Sequence, residues 1–424
     1  MAAQYRILLM HPMDPRGVKL GGIETHVRMI LSRHPEDFSV LFVGVDEFGD
    51  LPQGKVSQVE TGGRKIDFLP VARIDQARIN LPGRKLLEST TFRFAFGALR
   101  HLRAIRASVK GSSVSADLQR FEFAVLPKLL GLKTVQMVHG EGSKDQKMDS
   151  LIKKLWFLHR INENIALRLA DRVLCVNANI IKRLESVLPT AVRKAEVMTV
   201  SVDTQAFAPQ PFDCADGVFR VVFAGRLDAF KDPPLMFRTL AQTHARLGGK
   251  FEFHYIGTTD PSRYSEFAAI ESFTVRHGFR SSAEVAAIVA KCHAGVLTSY
   301  FEGMPCYLLE TLCVGRPFCA IRLPQYDPLV VEGVSGRLVE RTDPDDACMA
   351  QLADGFAGLW HDISGGLIDP LKVHARVEPY SIENQMARLF AHHRALQGAK
   401  AGTASGAKQA SPPALGHVPQ NLSH

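Results

Sequence analysis

The stretch SYFEGMPCYLLETLCVGRP, residues 299–317, begins with polar and aromatic residues and then becomes strongly apolar. It follows a short apolar run at 294–298, which predicts a buried strand. Pro305 suits the first turn of a helix, because its missing N–H costs nothing there. Glu302 precedes this turn, while Glu310 lies inside the apolar run. The order strand, turn, helix predicts an α/β unit with two carboxylates near a strand's carboxyl end.

The alternation of strands and helices continues outward in both directions. Further strands are predicted at 5–10, 39–45, 133–138, 172–176, 219–224 and 251–256, and helices at 85–106, 149–169, 179–188, 234–247 and 283–291. Alternating strands and helices favour parallel sheets covered on both faces. The fold class predicted is therefore α/β, with two doubly wound, Rossmann-like halves facing each other across a cleft.

A change of composition separates the two halves. Residues 208–217, APQPFDCADG, combine prolines, a glycine and acidic residues and predict a linker. We expect one domain at 1–208 and a second at 209–376. A helix at 377–397 is expected to return to the first domain. Residues 398–424 are rich in Ala, Gly, Ser and Pro, which predicts a disordered tail.

The composition of the chain limits the classes of function. Hydrophobic residues make up 46% of the 424 residues, charged residues 22%, and the net charge is +8. Anionic partners are therefore favoured, although no nucleic-acid-binding motif accompanies the charge. No window of 18 apolar residues occurs, so no membrane span is predicted. The seven scattered cysteines indicate buried thiols in a reducing compartment, and we expect a cytoplasmic protein.

A second candidate site follows the strand at 219–224. Gly225 turns the chain, and Arg226 and Lys231 emerge in the next loop. Two cations at a strand's carboxyl end suit a diphosphate, although they are also compatible with solvated loop charges. The helix after Glu302 would offer unpaired N–H groups to the same anion, and Gly303 would let backbone approach it.

Two weaker signals lie in the first half. The sequence GGIETHV places Gly21 and Gly22 at a helix N-terminus after the first strand, where a phosphate or sugar can approach. It does not match the dinucleotide pattern GxGxxG. The sequence VHGEG places His139 at a strand end, where the ring either hydrogen-bonds a sugar or has a structural role.

Together these motifs resemble the retaining nucleotide-sugar glycosyltransferases of family 4, which have the two-domain GT-B fold. The resemblance covers roughly residues 5–395 and depends most on the glutamate pair of EGMPCYLLE and on the cations of FAGRLDAFKD. ADRVLCVNA, VDTQAFAP and GVSGRLVE support it. The chain departs from the family where His139 is followed by Gly140 instead of Asp, and where Val200-Ser201 replace Asn-Gly.

The resemblance implies that the domain at 1–208 binds the acceptor and that the domain at 209–376 binds the nucleotide sugar. It also implies roles for individual residues. Glu310 would bind the nucleotide ribose and Glu302 would lie near the transferred sugar. The implied diphosphate ligands are Arg226 and Lys231, with Gly225 turning their loop and backbone amides at Gly303 and Met304. Gly21 and Gly22 would approach the diphosphate and acceptor, and His139 would lie beside the donor sugar.

The resemblance also implies a reaction. A hexose would pass from a nucleoside diphosphate donor to a glycan or lipid-linked acceptor, with retention and without a metal or cofactor. A UDP-sugar is favoured slightly over GDP-mannose. The sequence Asp343-Pro344-Asp345 spells DxD but is predicted to be a turn. A catalytically silent subunit that binds nucleotide sugar, or a scaffold subunit, is the alternative.

The basic charge is concentrated in residues 84–110. This segment has seven Arg or Lys residues and one acid, Glu88, with Phe92, Phe94, Phe96 and Leu99 between them. Such a pattern suits a basic amphipathic helix on anionic lipid, and equally a helix whose aromatic residues pack in the core. Peripheral contact with the inner face of a membrane is therefore left open.

Overall fold

The structure is a computed structural model that describes residues 4–19, 21–80, 88–140 and 156–398. The described residues leave out three segments to which the sequence analysis refers. These are residues 399–424 of the predicted tail, residues 84–87 of the basic segment and the Glu-Gly that follows Gly140.

The first domain is built on an eight-stranded sheet with the order β3-β4-β2-β1-β5-β6-β7-β8. All of its neighbouring strands are parallel except β3 and β4. The strands are β1 (Tyr5–Met10), β2 (Phe38–Asp46), β3 (Ser57–Thr61), β4 (Arg64–Arg73), β5 (Val114–Leu118), β6 (Lys133–Val138), β7 (Arg172–Cys175) and β8 (Ala195–Val197).

The helices of the first domain cover both faces of this sheet. They are α1 (Gly22–Arg33), α2 (Gln76–Ile79), α3 (Thr90–Arg100), α4 (Leu102–Val109), α5 (Val125–Leu129), α6 (Trp156–Leu169), α7 (Ala178–Val187) and α8 (Pro189–Val192). Strand β1 shows why both faces need cover: Ile7 packs into one buried cluster and Leu8 into the other. Side chains alternate along a strand, so a strand that is apolar throughout needs cover on both sides.

The second domain has a six-stranded parallel sheet with the order β11-β10-β9-β12-β13-β14. Its strands are β9 (Phe219–Ala224), β10 (Phe251–Ile256), β11 (Thr274–Gly278), β12 (Ala294–Leu297), β13 (Phe318–Ile321) and β14 (Gly336–Val339). Its helices are α9 (Pro233–Arg246), α10 (Ser282–Ala290), α11 (Cys306–Cys313), α12 (Asp346–Ser364) and α13 (Pro370–Ala375), and a last helix, α14 (Ile382–Leu396), follows.

The connection between the domains is held by a buried arginine. Arg316 is fully buried and donates to the carbonyls of Gln210 at 2.6 Å and Pro211 at 2.9 Å. Its guanidinium also lies 4.6 Å from the ring centroid of Phe212. The predicted linker is therefore anchored to the second domain along the part that these contacts cover.

The chain crosses between the domains a second time, beside the first crossing. Val202 donates its N–H to Tyr380 O at 2.9 Å, and Ile382 donates to Val202 O at 3.0 Å. Helix α14 then packs on the first domain, where Arg394 pairs with Asp37 at 2.8 Å. The two crossings therefore form one short parallel contact, centred on Val202 and Ser381.

The sequence pattern predicted several strands at their observed bounds, but it was less successful for the helical segment around 85–106. The predicted strands at 5–10, 133–138, 219–224 and 251–256 coincide with β1, β6, β9 and β10. The single helix predicted at 85–106 is wrong, because the chain breaks at His101 into α3 and α4. None of the helices within the described residues is both long and apolar enough to cross a membrane.

Candidate active site between the two domains

The two loops predicted to carry the site meet in the second domain. Strands β9 and β12 are neighbours, and the chain leaves them toward opposite edges of the sheet, which creates a crevice at their carboxyl ends. The N–H of Tyr300 donates to Phe230 O at 2.8 Å, and the hydroxyl of Thr298 donates to Lys231 O at 2.8 Å. The rings of Phe230 and Phe301 stack at 4.9 Å. These contacts fix one loop against the other.

Lys231 and Glu302 form an ion pair inside this crevice. The Lys231 Nζ lies 2.6 Å from Glu302 Oε1, and their side chains are only 15% and 9% exposed. The hydroxyl of Ser299 donates to the same Oε1 at 2.8 Å. Both partners therefore contact the same oxygen of the carboxylate, Oε1. The sequence located both residues but did not predict that they pair.

Arg226 occupies a different position from Lys231. Its side chain is 67% exposed, and its guanidinium pairs with Asp228 at 3.0 Å. Gly225 has a φ of 146°, a backbone conformation that residues with a side chain rarely adopt. Its N–H donates to Ile256 O. The structure therefore places Arg226 at the rim of the crevice, while Lys231 lies within it.

Helix α11 begins directly after the Glu302 loop. Pro305 precedes its first residue, and no side chain among the described residues caps its N-terminus. The first backbone N–H groups of such a helix attract anions. Met304, the predicted backbone contact, lies in the loop that leads into this terminus and packs against the core.

Glu310 lies within α11 and has an unusual environment. Its side chain is partly buried, and among the described residues its carboxyl group has no hydrogen-bond or ion-pair partner. Burial raises the pKa of the Glu310 carboxyl to about 7. A ligand hydroxyl that reaches this partly buried carboxyl group would supply the hydrogen-bond donor that it lacks among the described residues.

The Glu302 loop contacts the first domain. A Cβ added to Gly303 would lie 2.0 Å from His139 O, so only glycine permits this approach. The side-chain amide of Asn177 donates to Gly303 O at 2.8 Å. Nearby, a Cβ on Gly22 would be 3.7 Å from Cys306 Sγ at the start of α11. The predicted residues of both halves therefore meet at one place.

His139 is held in one orientation by Gln119. The His139 Nε2 lies 2.6 Å from Gln119 Oε1, while the Gln119 amide donates to Asp117. Since Gln119 offers its oxygen, His139 donates from Nε2 and retains an unprotonated Nδ1 that can accept a hydrogen bond. Burial lowers the pKa of His139 well below its ordinary value, so the ring is neutral.

A cluster that was not singled out in the sequence lies at the start of α1. Glu24 lies 3.1 Å from His11 Nε2 and 3.2 Å from Lys19 Nζ. Burial lowers the pKa of His11 to about 4, so Lys19 supplies the positive charge opposite Glu24. Gly21, at φ 150°, makes room for this carboxylate, since a Cβ there would lie 2.2 Å from Glu24 Oε2. The only part of this cluster that the sequence analysis had quoted was Glu24, within the motif GGIETHV.

Arg341, which the sequence analysis also did not single out, contacts both loops of the crevice. It pairs with Asp232 at 2.8 Å and lies 3.9 Å from the ring centroid of Tyr300. Asp345 of the Asp-Pro-Asp turn lies 3.4 Å from Arg341 as well. Within the described ranges, no group of three or more His, Cys, Asp or Glu side chains is placed to hold a metal ion.

Part of this chain is similar in sequence to known proteins. Residues 218–356, most of the second domain, match the family model described as Glycosyl transferases group 1. An uncharacterised glycosyltransferase of Methanocaldococcus jannaschii is 25% identical over 237 residues, 53% of this chain. The match spans only 58% of that protein.

Solved structures resemble nearly the whole chain. Sucrose-phosphate synthase from Thermosynechococcus elongatus has a TM-score of 0.70 at 16% identity, covering 92% of this chain and 99% of its own. Anabaena HepE, solved with UDP, has a TM-score of 0.64 at 14% identity over 92% and 99% of the two chains. The predicted fold class, two Rossmann-like domains in the GT-B arrangement, is confirmed, and the second domain is similar to the group 1 glycosyl transferases.

Proposed function

We propose that the protein is a retaining glycosyltransferase that moves a hexose from a nucleoside diphosphate donor to a glycan or lipid-linked acceptor. The observation that carries the proposal is the meeting of Lys231, Glu302 and the start of α11 in one crevice, closed by His139 and Gly22 of the first domain. Cations and helix N–H groups suit a diphosphate, while carboxylates suit hydroxyl groups.

Each part of the donor would then have its own contacts. The diphosphate lies at the α11 N-terminus with Lys231 and, at the rim, Arg226 beside it. The ribose hydroxyls donate to Glu310, which among the described residues has no other partner. The Nδ1 of His139 accepts from a sugar hydroxyl, because Gln119 occupies its Nε2. A UDP-sugar is favoured because HepE was solved with UDP and with UDP-glucose.

The chemistry would be electrostatic stabilisation of the leaving group. As the bond from the anomeric carbon to the diphosphate breaks, negative charge gathers on the departing oxygen. Lys231 and the α11 N–H groups stabilise that charge without a metal. The acceptor oxygen attacks from the same side, and its proton passes to the departing phosphate. Glu302 is held by Lys231 and Ser299, so it positions the sugar and does not act as a nucleophile.

A donor panel tests the proposal. The purified protein is incubated with UDP-sugars and GDP-mannose in the presence of EDTA, with an acceptor extract, and the products are followed by NMR. We expect turnover of a UDP-sugar and an axial anomeric bond preserved from donor to product. Donor binding without turnover of any sugar would instead identify a silent binding subunit, and an inverted product would exclude retention.

A further inference from the structure

Helix α6 presents a row of apolar side chains outward. Phe157 is 75% exposed, Ile161 37% and Ile165 41%. Their spacing of four residues places them on one side of the helix. Single exposed apolar residues are common, but a continuous row along three turns marks a surface that contacts something else.

Two neighbouring helices repeat this feature. On α3, Phe96 and Leu99 are 61% and 53% exposed, with Phe92 one turn before them. On α5, Val125 and Leu129 are both nearly half exposed. Together with the row on α6 they make up eight of the 17 large apolar side chains that are exposed among the described residues.

The three rows lie on the same side of the first domain. Helices α3, α4, α5 and α6 follow strands that continue in one direction across the sheet, so right-handed crossovers place them on one face. A shared buried cluster beneath them joins Phe94, Ile105, Phe123 and Leu126. Arg106 of α4 also donates to Leu129 O at 2.8 Å. We call the exposed rows on α3, α5 and α6 the three-row face.

The described helices on this side carry more basic than acidic side chains. Along the described helices α3 to α6 the one acidic residue is Glu163, which is buried and ion-paired with Arg160 and Arg183. In contrast, Arg100 and Arg103 are exposed without acidic neighbours on their helices. An apolar surface bordered by unpaired cations is complementary to a bilayer that contains anionic lipid.

We propose that the three-row face docks the protein on an anionic lipid bilayer. This inference does not depend on the proposed transfer reaction. Helices α3 and α6 both follow parallel strands, so their first turns, with Phe92 and Phe157, lie at the carboxyl edge of the sheet. The crevice with His139 opens at the same edge, which would bring a lipid-linked acceptor to the catalytic side of the domain.

The structure also changes what the sequence suggested for residues 84–110. Among the described part of that segment, Phe94 and Ile105 are fully buried, whereas Phe96 and Leu99 are exposed. The core alternative is therefore correct for Phe94 and wrong for Phe96, and contact of this segment with lipid stays a prediction. The rows on α5 and α6, which were not expected, supply more than half of the exposed apolar side chains of the three-row face.

Vesicle flotation with the full chain tests the proposal. We expect the protein to float with vesicles of phosphatidylcholine and phosphatidylglycerol, to bind pure phosphatidylcholine vesicles more weakly, and to dissociate as salt is raised. The double variant Phe96→Ser/Phe157→Ser should lower the partition coefficient about tenfold, because both rings lose contact with the acyl region. Arg100→Gln/Arg103→Gln should lower binding about tenfold on the anionic vesicles only.

A matched control lies in the second domain. Phe279 and Leu371 are 55% and 65% exposed and stand outside the three-row face. Their double replacement by Ser should leave flotation unchanged, and melting curves should show that all variants fold. Absence of flotation with either vesicle, or equal flotation of the Phe96/Phe157 variant, would overturn the proposal. A dimer in light scattering that this variant makes monomeric would show instead that the face joins two copies.

Discussion

At the scale of single residues, Glu310 combines a central expected role with an unfavourable environment. Its carboxyl has a pKa raised by burial from 4.5 to about 7. The folded protein therefore binds this proton more tightly than the unfolded chain does between these pH values. The contribution of this proton to stability is complete below pH 4.5 and is lost as the pH rises through 7. Such a cost is understandable if a ligand hydroxyl is the missing partner.

The variant Glu310→Gln tests this role. In the wild type, UDP should bind more tightly at pH 8 than at pH 6, because the ionised carboxylate is the stronger acceptor. The variant should lose about 10- to 100-fold in affinity at pH 8, as expected for a lost hydrogen bond to a charged group. It should also be more stable than the wild type at pH 8, by calorimetry and denaturation. Unchanged UDP affinity at both pH values would contradict the ribose role.

The pair of Lys231 and Glu302 gives a second prediction. Lys231→Met leaves the buried Glu302 carboxylate without its cation, which should destabilise the second domain by on the order of 3 kcal/mol. The double variant Lys231→Met/Glu302→Gln removes the uncompensated charge, so most of that stability should return. The transfer rate should stay about 100- to 1,000-fold below wild type in both variants, since the leaving group loses its cation.

Comparison of denaturation curves with turnover rates separates the two roles of this pair. Recovery of turnover together with stability in the double variant would show that Lys231 is structural only.

At the scale of elements, the close approach of the Glu302 loop to the first domain can be tested with two glycines. In Gly303→Ala the new Cβ would lie 2.0 Å from His139 O, a backbone atom that cannot rotate away. The loop must then retreat, so the donor KM should rise at least tenfold while the melting temperature changes little. Gly140→Ala is the matched control, because a Cβ there has none of the described residues within 4 Å. Similar kinetics for the two variants would show that this contact does not matter.

The same scale shows what the sequence could and could not predict. Strands β6 and β9 were located at their observed bounds because each ends in apolar residues directly before a turn. Strand β5 was missed because it carries Ser115 and Asp117. Both are satisfied by His393 of α14, at 2.8 and 3.1 Å, almost 280 residues away in the chain. A polar strand whose partners come from the distant end of the chain leaves no local pattern.

The candidate site divides in a similar way. Local turn and helix chemistry was enough to select Gly225, Lys231, Glu302 and Glu310, because each follows a recognisable strand. The bond between Lys231 and Glu302 joins positions 71 residues apart and needed the sheet order to be known. The Glu24 cluster depends on burial of His11 and Lys19, which no spacing reveals. Pairing and burial, in contrast to residue type, are properties of the tertiary structure.

At the scale of the whole molecule, the two domains differ in how the chain builds them, because helix α14 follows one domain and packs on the other. It follows the second domain in the chain but packs its apolar side on the first, where Phe390 lies 4.7 Å from Phe38, ring to ring. The first domain is therefore completed by the end of the chain. In the second domain, Phe356 of α12 is fully buried and lies 6.2 Å from Phe219 of β9, ring to ring. One buried cluster continues through both domains, but these two rings each pack against a strand of one domain.

Phenylalanine truncations in these two helices test that division. Phe390 and Phe356 are both fully buried in helices, so replacing either by Ala should cost about 3 to 5 kcal/mol in the domain that loses the ring. Phe390→Ala should lower the melting temperature of the first domain and leave that of the second unchanged, and Phe356→Ala should do the reverse. Differential scanning calorimetry resolves the transitions, and UDP, whose proposed site lies mainly on the second domain, identifies which one belongs to it. If Phe390→Ala lowers the UDP-sensitive transition instead, α14 stabilises the second domain and the division is wrong.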